Sequence, residues 1–524
     1  MSYMPKKAYL VGGGVASLAA AVVLIRDGDM VGRDITIFEE QPRLGGSLDG
    51  SGDPRNGYMV RGGRMLESKY LCTYDLFSSI PALDGRQTVT QEIFQWNETL
   101  KTGSKSRLFR DGRREVAPEF GLADAHKRAL EKLVLRSEHA LGDSTIEAHF
   151  DASFFETNFW FMWATTFAFQ PWHSAIELKR YLIRFMHMVS GFSRLEGIMR
   201  TPYNQFDSLV LPLHRWLEER GVRFELETRI TDLGFADGPD GHRVETLHLE
   251  RAGRPERLEV SPDDIVLVTL GSMTEASTQG SMDAPPTLLG KPDEGAWRLW
   301  ERLAEGRPEL GRPAAFDNDI GASKWLSFTT TLKHPDLLNA IRDLTGNVPG
   351  EGGLVTFAQS SWLMSIVVPH QPHFQGQPDD VTVFWGYGLF VDRPGDFVKT
   401  PMAQCSGREI LMEVLGHLGL QAQSASLMQD AICLPCMMPF ITSQFLPRRP
   451  GDRPQPIPEG YANLGLLGQF VELPDDVVFT VEYSVRSAMV AVYALLGLKR
   501  RAPEVYKGQF NPANLLKAFE TLNA

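Results

Sequence analysis

Residues 8–17 read AYLVGGGVAS, an apolar run that leads directly into three glycines. The apolar residues predict a buried strand, and the following stretch, 15–27, predicts an apolar helix built from good helix formers. Gly12, Gly14 and Ser17 match the pattern G-x-G-x-x-S at this junction. The first glycine makes the turn, the second lets the backbone approach a pyrophosphate, and the small third residue lets the helix pack closely on the strand. The stretch therefore predicts the opening of a nucleotide-binding βαβ unit.

The strand that closes this unit is predicted at residues 35–40, ITIFEE. Glu39 stands at its end, where an acidic residue of a dinucleotide fold binds a ribose hydroxyl. Gly45, Gly46 and Ser47 follow closely and suit a second contact with a pyrophosphate or a flavin. This second glycine turn favours FAD over NAD. A glycine turn that serves packing alone is the alternative interpretation.

Two later strands are predicted to belong to the same domain. Residues 263–272, DDIVLVTLGS, form a buried strand that runs into Ser272. Residues 463–469 form another, and the helix that begins near Tyr483 and carries Ser484 follows it. One large cofactor bound across such distant segments is typical of FAD, so Ser272 and Ser484 are predicted as further cofactor contacts.

The predicted fold class is α/β: a discontinuous Rossmann-like FAD-binding domain with a mixed α+β substrate domain and a helical region. Residues 151–191, which are dense in aromatic residues and methionine, predict part of the helical region. The predicted segments are FAD-binding parts at 1–115, 205–290 and 456–500, a helical substrate region at 116–204, a substrate domain at 291–455 and a C-terminal segment at 501–524.

The composition is ordinary for a globular chain of 524 residues, with 43% hydrophobic and 23% charged residues. A formal charge of −12 predicts no nucleic-acid partner. Four cysteines and a start without a cleavable apolar leader predict a cytoplasmic protein. The most apolar long run, 159–169, falls short of the roughly 20 residues that span a bilayer. Transient contact with a membrane surface stays open, and the short C-terminal segment favours a monomer.

Several long motifs give the chain a family likeness. The chain resembles the oleate hydratases, FAD-dependent fatty-acid hydratases that are also called myosin-cross-reactive antigens. The likeness runs from about residue 8 to about residue 520. The segments that carry it are GGGVASLAAA (12–21), LGGSLDG (44–50), VRGGR (60–64), NFWFMWATTFAFQPWHSAIELKRYLIRF (158–185), TPYNQFDSLVLP (201–212) and VFTVEYSVRSAM (478–489).

The resemblance implies an enzyme of lipid metabolism, a hydro-lyase. It implies that water is added across a cis double bond of a free unsaturated fatty acid, as when oleic acid becomes 10-hydroxystearic acid, a hydroxy fatty acid. FAD is required in that family although no net redox change occurs. A tyrosine in the family's KRY or RRY segment protonates the alkene, and the matching residue here is Tyr181.

The family's water-activating acid follows its GGR motif, and here that position is Met65. Methionine cannot accept a proton in this role. Three interpretations stay open. Glu67 substitutes for the acid, or the flavin together with Arg64 holds the water, or the chemistry is slower or different.

The resemblance also implies how the carboxylate of the fatty acid is bound. Gln205 matches the family's glutamine in its YNQ segment, and His373 fits a third position after the W-x-M-S stretch. The family's threonine and asparagine positions read Val367 and Pro369 here. Carboxylate binding is therefore expected to rest on Gln205 and His373.

The sequence is also compatible with two other functional classes. A flavin-dependent lipid or amine oxidoreductase is the alternative enzyme, and a non-catalytic fatty-acid-binding flavoprotein is the alternative without turnover. Cys433 and Cys436 form a C-x-x-C pair, but no second pair or histidine has ligand spacing, so no metal site is predicted. His173 is expected to be structural rather than a base.

Overall fold

The computed structural model describes residues 6–116, 118–239, 241–351 and 353–523. Residues 1–5 lie outside the described residues. They open the predicted 1–115 segment and belong to the N-terminal stretch that predicts no leader. The helices, numbered in chain order, are α1 (Val15–Arg26), α2 (Leu71–Phe77), α3 (Val89–Thr99), α4 (Asp124–Leu135), α5 (Glu138–Leu141), α6 (Asn158–Phe167), α7 (Ala175–Arg184), α8 (Leu211–Glu218), α9 (Ala296–Ala304), α10 (Ala314–Asp317), α11 (Ile320–Ser323), α12 (Asp336–Thr345), α13 (Gly407–His417), α14 (Ser424–Leu427), α15 (Val481–Leu495) and α16 (Pro512–Asn523).

The strands fall into two larger sheets, a three-stranded meander and two short pairs. In chain order they are β1 (Ala8–Val11), β2 (Ile35–Phe38), β3 (Gly50–Asp53), β4 (Gly57–Val60), β5 (Leu66–Glu67), β6 (Leu108–Arg110), β7 (Arg113–Glu115), β8 (Ile198–Met199), β9 (Arg223–Glu225), β10 (Thr228–Gly238), β11 (Gly241–Arg251), β12 (Arg254–Glu259), β13 (Ile265–Thr269), β14 (Thr278–Gln279), β15 (Trp325–Leu332), β16 (Gly353–Phe357), β17 (Ser365–Val368), β18 (Thr382–Gly388), β19 (Ile432–Met438) and β20 (Leu464–Leu467).

The first sheet is wholly parallel, in the order β20-β13-β1-β2-β9. Strands β1, β2 and β20 are buried along their whole length, as expected of a parallel sheet whose faces are covered. Helix α1 packs against α15, and both are almost entirely buried. The predicted α/β class, the opening βαβ unit and the return of two distant strands to it are therefore confirmed.

The second sheet has eight strands in the order β14-β19-β15-β18-β17-β16-β6-β7. It is a mixed sheet. Strands β16 and β6 are parallel, and all the other neighbouring strands of this sheet pair antiparallel. Strand β15 lies near its centre and is buried at all eight positions. Strands β6, β7 and β14 belong to this sheet although they fall within segments predicted as FAD-binding. The exact segment bounds stay a prediction.

The helical region connects the two sheets. Helices α4 to α7 occupy much of residues 116–204, as the aromatic composition predicts. Helix α6 carries a buried aromatic face on which the rings of Phe159 and Trp163 stack, and Phe154 from the preceding segment packs against Phe159. After residue 205 the chain forms a π-helical stretch, Phe206–Val210, and continues as α8. In the described residues we find no helix long and apolar enough to cross a membrane.

Candidate active site and cofactor cleft

A cleft of about 690 Å³ lies at the carboxyl edge of the parallel sheet. Ligands of open α/β sheets bind at this edge, because the chain leaves each strand there in a loop. The turns after β1, β2, β13 and β20 all contribute to it. The predicted cofactor residues that line the cleft are Gly12, Gly14, Glu39, Gly45, Gly46, Ser47, Ser272 and Ser484.

The glycine turn forms the floor of this cleft. Gly12 has φ +93, a left-handed conformation that favours glycine. Gly14 has an ordinary φ of −77, and a Cβ added to it would meet no atom within 4 Å, so this position faces open space. No side chain caps the N-terminus of α1. Its free N–H groups and the helix dipole make an anion-binding site for a pyrophosphate.

A second glycine turn lies against the first. Gly45 has φ +114, and its N–H donates to the carbonyl oxygen of Gly13 at 3.0 Å. The residues around both turns therefore fit a dinucleotide. Glycines leave the space between the turns open to the backbone N–H groups, and larger side chains would occupy it.

Glu39 is folded over the first turn. Its Oε2 accepts a 2.6 Å hydrogen bond from the N–H of Gly13, and its Oε1 accepts one of 2.8 Å from Gln41. Burial raises the pKa of this carboxyl, although the two backbone donors oppose the shift. The acid stands at the end of β2, where a ribose hydroxyl would reach it.

Two predicted cofactor residues lie elsewhere. Ser17 is fully buried in α1, and its Oγ lies 3.0 Å from Oγ1 of Thr269. It joins the helix to β13 and does not line the cleft, so its contribution is close helix–strand packing. Arg64 lines a separate inner cavity instead.

This inner cavity has a volume of about 70 Å³ and gathers the predicted catalytic residues. Arg64, Met65, Glu67 and Tyr181 all line it. The remaining lining residues, most of which sequence reasoning missed, are Gly62, Gly63, Leu66, Tyr70, Thr165, Thr166, Phe167, Ala168, Phe185, Ile198, Trp325, Trp385, Tyr387, Phe479 and Thr480. A space of this size holds water molecules, since each occupies about 30 Å³ in the liquid.

Tyr181 projects from α7 and is only 1% exposed. Its hydroxyl donates a 2.5 Å hydrogen bond to the carbonyl oxygen of Val478. The rings of Phe167 and Phe169 lie edge-on to its ring, with centroids 5.1 and 5.0 Å away. Burial raises the pKa of the phenol well above its usual range, and Glu177 adds to the shift. Tyr181 is therefore a neutral phenol that carries its proton at neutral pH.

Glu67 lines the cavity, but its carboxylate oxygens already contact other groups. Its Oε1 forms a 2.9 Å ion pair with the buried guanidinium of Arg184, and its Oε2 accepts from the N–H of Lys69 at 2.7 Å. His187 also lies 3.4 Å from Oε2. Burial alone would raise the pKa of Glu67, but His187 and Arg184 outweigh it and hold the pKa below its usual value. The carboxylate is charged and engaged, which makes it a poor proton acceptor.

Arg64 and Met65 differ in what they offer to the cavity. The guanidinium of Arg64 lies 4.7 Å from the ring centre of Phe479, and its buried Nη2 has no hydrogen-bond partner among the described residues. Burial lowers the pKa of Arg64 to about 10, so it stays charged at neutral pH. Met65 is half-buried and contributes a thioether, a weak acceptor without a proton to exchange.

Gln205 and His373 do not line the inner cavity. Hydrogen bonds connect Gln205 to Arg64, which lines it, and His373 to Asn204, the neighbour of Gln205. Gln205 donates from Nε2 to the carbonyl oxygen of Arg64 at 3.2 Å. The neighbouring Asn204 donates from its backbone and its side chain to the carbonyl oxygen of His373, at 2.9 and 3.1 Å. Burial lowers the pKa of His373 to about 3, so its imidazole is neutral.

The first turns of α15 connect the two cavities. Thr480, the N-cap of this helix, lines the inner cavity, and Ser484 one turn later lines the cleft. Gln469 binds both of them, because its Nε2 donates to the carbonyl oxygen of Thr480 and to Oγ of Ser484. A cofactor that fills the cleft to Ser484 would therefore end near the predicted catalytic residues.

Other titratable groups have structural positions. His173 is fully buried, and its Nδ1 accepts from the N–H of Gln170 at 3.1 Å, as expected of a structural histidine. Cys433 and Cys436 are free and buried in β19, where burial raises the pKa of each thiol, to about 12 and about 11. Such thiols are inert, which argues against a redox site.

One group of potential metal ligands occurs in the part of the chain that the structure describes. Asp396, Glu413 and His417 place their ligand atoms within 4.8 Å of one another. Glu413 already accepts three backbone N–H groups of the adjoining loop, from residues 396–398. Its carboxylate therefore has a structural role as a loop cap, and the expectation of no metal site stays a prediction.

Comparisons with known proteins agree with this architecture. The profile of the MCRA family matches residues 5–493. The chain is 40% identical to an oleate hydratase of Streptococcus pyogenes serotype M49 (strain NZ131), over 99% of this chain and 90% of that protein. It is 34% identical to a linoleate hydratase of Lactiplantibacillus plantarum, over 98% of this chain and 97% of that protein.

Solved structures of other enzymes share the fold. A cyclohexylamine oxidase from Brevibacterium oxydans IH-35A superposes with a TM-score of 0.55 at 12% identity, over 94% of this chain and 99% of that one. A putrescine oxidase superposes with a TM-score of 0.51 at 11% identity, over the same shares of the two chains. At such low identity these likenesses concern the fold alone.

Proposed function

Because this chain belongs to the MCRA family, we propose that it is a hydratase that adds water across a cis double bond of free unsaturated fatty acids. Relatives named for oleate and linoleate hydration align with nearly the whole chain. The observation that carries the proposal is the inner cavity, which is lined by a neutral buried phenol, Tyr181, and by Arg64, whose buried Nη2 has no hydrogen-bond partner among the described residues. The product would be a hydroxy fatty acid, formed from oleate as 10-hydroxystearate.

The cofactor of the cleft is proposed to be FAD. Gly12, Gly14, Gly45 and Gly46 offer a cradle without side chains, at the N-terminus of a helix that carries no cap. Glu39 would bind the ribose, and Ser484 would lie toward the flavin end, since both line the cleft. Hydration involves no net electron transfer, so bound flavin would supply a shaped, polar wall beside the inner cavity.

Tyr181 is the proposed acid. Its hydroxyl gives its proton to one alkene carbon, and positive charge develops at the neighbouring carbon. Removal of that proton leaves a phenolate, which the nearby charge of Arg64 stabilises. A positioned acid of this kind contributes about 10²–10⁴-fold to a rate.

Water is the proposed nucleophile, held by the free Nη2 of Arg64 beside Met65. Its oxygen bonds to the cationic carbon, and the proton that it loses returns to the phenolate of Tyr181. Atoms and charge therefore balance over one turnover, and the phenol is regenerated. Glu67 is not assigned this role, because its carboxylate is paired with Arg184.

The deciding experiment is incubation of the flavin-loaded protein with oleate in ¹⁸O-labelled water, while the consumption of dissolved oxygen is measured. A hydratase places the label in the product and consumes no oxygen. An oxidase of the kind suggested by the shared fold consumes oxygen and forms peroxide, and a binding protein does neither.

We further propose a cytoplasmic, monomeric enzyme. The four buried free cysteines support a reducing compartment, and size-exclusion chromatography with light scattering tests the monomer.

A further inference from the structure

Three aromatic side chains of the eight-stranded sheet line the inner cavity together. Trp385 and Tyr387 lie two residues apart on β18, so their side chains leave the same face of the sheet. Trp325 of the neighbouring strand β15 shares that face, because Ser327, two residues further on, is the register partner of Tyr387. All three rings line the cavity. We call Trp325, Trp385 and Tyr387 the aromatic wall.

The aromatic wall is a fixed part of the cavity surface. The ring centroid of Tyr387 lies 5.0 Å from that of Trp325 and 5.8 Å from that of Trp385, with interplanar angles of 31° and 28°. The three residues are buried, and the hydroxyl of Tyr387 donates to the carbonyl oxygen of Thr165. Packing and this hydrogen bond therefore hold the rings in place.

Trp385 lies directly against the segment that carries Arg64 and Met65. A Cβ added to Gly63 would lie 2.5 Å from Cζ2 of Trp385 and 3.3 Å from Cε2 and Cη2. The backbone of Gly63 is not in the left-handed region, so space rather than conformation requires glycine here. The indole ring therefore occupies the place of a side chain at Gly63, next to the two residues proposed to hold the water.

The charged groups of the inner cavity do not favour positive charge on a substrate carbon. Among the described residues that line the cavity, only Arg64 and Glu67 have side chains that are ionised at neutral pH. Arg64 is itself a cation, and the carboxylate of Glu67 is paired with Arg184. Met65 carries no charge. Yet the proposed hydration places positive charge on the carbon that water attacks.

An aromatic ring can stabilise such a charge without a proton or a formal charge of its own. The face of the ring carries partial negative charge, and tryptophan attracts cations in this way more strongly than tyrosine or phenylalanine. The attraction is larger where water is excluded, as it is beside buried rings. Within the aromatic wall, Trp385 is the ring that adjoins the segment of Arg64 and Met65, whereas Trp325 lies toward Tyr387 and Phe479.

We infer that Trp385 stabilises the positively charged carbon that forms during hydration, through the electron-rich face of its indole ring. This inference rests on the proposed function, in that the charge arises when an alkene is protonated. Trp385 gives up no proton and forms no bond, so Tyr181 and water exchange the atoms as described above. Its contribution is electrostatic, at a position where Met65 supplies no negative charge.

The first test measures kcat of the flavin-loaded protein with oleate. The rate should fall from the parent to Trp385→Phe and further to Trp385→Leu, because phenylalanine has a weaker ring face and leucine has none. The leucine variant should lose about 10-fold or more. Trp216→Phe is the matched control, since Trp216 is also buried but lines neither the inner cavity nor the cleft. It should keep the kcat of the parent.

A second test changes the electrons of the ring and keeps its shape. Protein produced with 5-fluorotryptophan or 5,7-difluorotryptophan carries the analogue at all 10 tryptophans. Trp385→Phe produced in the same way therefore reports the effect of the other positions. Fluorine withdraws electron density from the ring face, so kcat of the parent should fall stepwise with the number of fluorine atoms. In Trp385→Phe the same series should be flat.

A third test needs no turnover. In 10-azastearate a nitrogen replaces C10 of a saturated acid, which places an ammonium charge where the proposed cation forms. Calorimetry compares its binding with that of stearate, in the parent and in Trp385→Leu. The substitution should weaken 10-azastearate about 10-fold more than stearate. Arg64 repels the ammonium in both proteins, so the comparison isolates the ring.

The outcomes separate the inference from the proposed function. An unchanged kcat in Trp385→Leu, the same fluorine response in Trp385→Phe as in the parent, or an equal loss of affinity for the two acids overturns the inference even if oleate is hydrated. A protein that never hydrates oleate, but whose preference for 10-azastearate depends on Trp385, retains the cation site while the hydratase proposal fails. If Trp385→Leu does not fold, the fluorinated proteins decide, because they keep the ring and its packing.

Discussion

The hydroxyl of Tyr181 lies 2.5 Å from the carbonyl oxygen of Val478, which joins α7 to the segment that leads into α15. The next residue, Phe479, has φ +67 and lies under the guanidinium of Arg64. One short segment therefore positions both Tyr181, the proposed proton donor, and the cation of the inner cavity. The α15 helix that begins after it carries Ser484 to the cofactor cleft. The segment that leads into α15 thus contacts the phenol, and the helix itself reaches the cleft.

Tyr181→Phe is expected to fold, to keep its cofactor and to lose about 10²-fold or more of its hydration rate. The substitution keeps the ring that Phe167 and Phe169 pack against and removes only the proton. It leaves the carbonyl of Val478 without its donor, at a cost of about 1 kcal/mol. Oleate turnover, flavin absorbance and thermal unfolding measure the three quantities.

Tyr483→Phe is the matched control for this substitution. Tyr483 is equally buried, and its hydroxyl also donates to a backbone carbonyl, that of Val471 at 2.7 Å. It does not line the inner cavity. The Tyr483 hydroxyl also accepts from the N–H of Leu473 at 3.0 Å, so the control should lose at least as much stability as Tyr181→Phe, with turnover intact. Equal turnover in both variants would mean that Tyr181 is not the acid.

Gly14→Val is expected to fold normally and to bind FAD at least about 10-fold more weakly. Its backbone conformation suits any residue, and its Cβ would meet no protein atom. The added methyl groups would instead enter the space where a pyrophosphate approaches the end of α1. Flavin content after purification and titration of the stripped protein with FAD check this expectation.

Gly103→Val serves as the control, because a Cβ at this exposed position also meets no atom. It should retain stoichiometric flavin. If Gly14→Val retained it as well, the glycine turn would have to be a packing feature, and the cofactor assignment would lose its main support.

The cofactor side of the molecule could be predicted from sequence because its signals are local. Gly12, Gly14 and Glu39 belong to one βαβ unit whose turn chemistry fixes their positions. The distant strand β20 could also be predicted, since a buried parallel strand reads as a short apolar run.

The catalytic side is different, because long-range pairing assembles it. Trp385 and Tyr387 reach the inner cavity only because β18 pairs with β17 in the register that places Ser365 opposite Tyr387. No local pattern indicates that register. Tyr181 and Met65 were found through family resemblance alone.

The stability of the protein should fall between pH 7 and pH 5 in part because of His173. Burial lowers the pKa of its imidazole to about 3, so between pH 3 and 6.5 the unfolded state binds a proton that the folded state does not. Stability therefore rises with pH over this window and is complete above it. At pH 5 the loss attributable to this residue is about 2 kcal/mol.

His173→Gln should reduce this acid-side loss, as measured by urea unfolding at pH 7 and pH 5. A glutamine oxygen can still accept the N–H of Gln170. His139→Gln, at an exposed position of α5, should keep the slope of the parent. A slope in His173→Gln as steep as that of the parent would assign the acid sensitivity to other groups.

Glu67→Gln is expected to lose stability rather than chemistry. It leaves the buried Arg184 without its 2.9 Å partner, which costs about 3–5 kcal/mol for an ion pair broken on one side. The hydration rate per folded, flavin-loaded molecule should stay near that of the parent. A lost rate with FAD retained would instead assign water activation to Glu67.

Met65→Glu should raise the hydration rate or shift its pH optimum, because it returns a proton acceptor to the position where the family carries an acid. The new carboxylate would lie in the inner cavity beside Arg64, whose buried Nη2 has no partner. Burial alone would raise its pKa and favour the neutral form, whereas the adjacent guanidinium favours the charged form. Met65→Gln has the same shape without the acid and is the control. Equal rates and equal pH profiles in the two variants, both loaded with FAD, would show that a carboxylate has no role at this position. Water would then be positioned by Arg64 and neighbouring groups, as we propose for the parent.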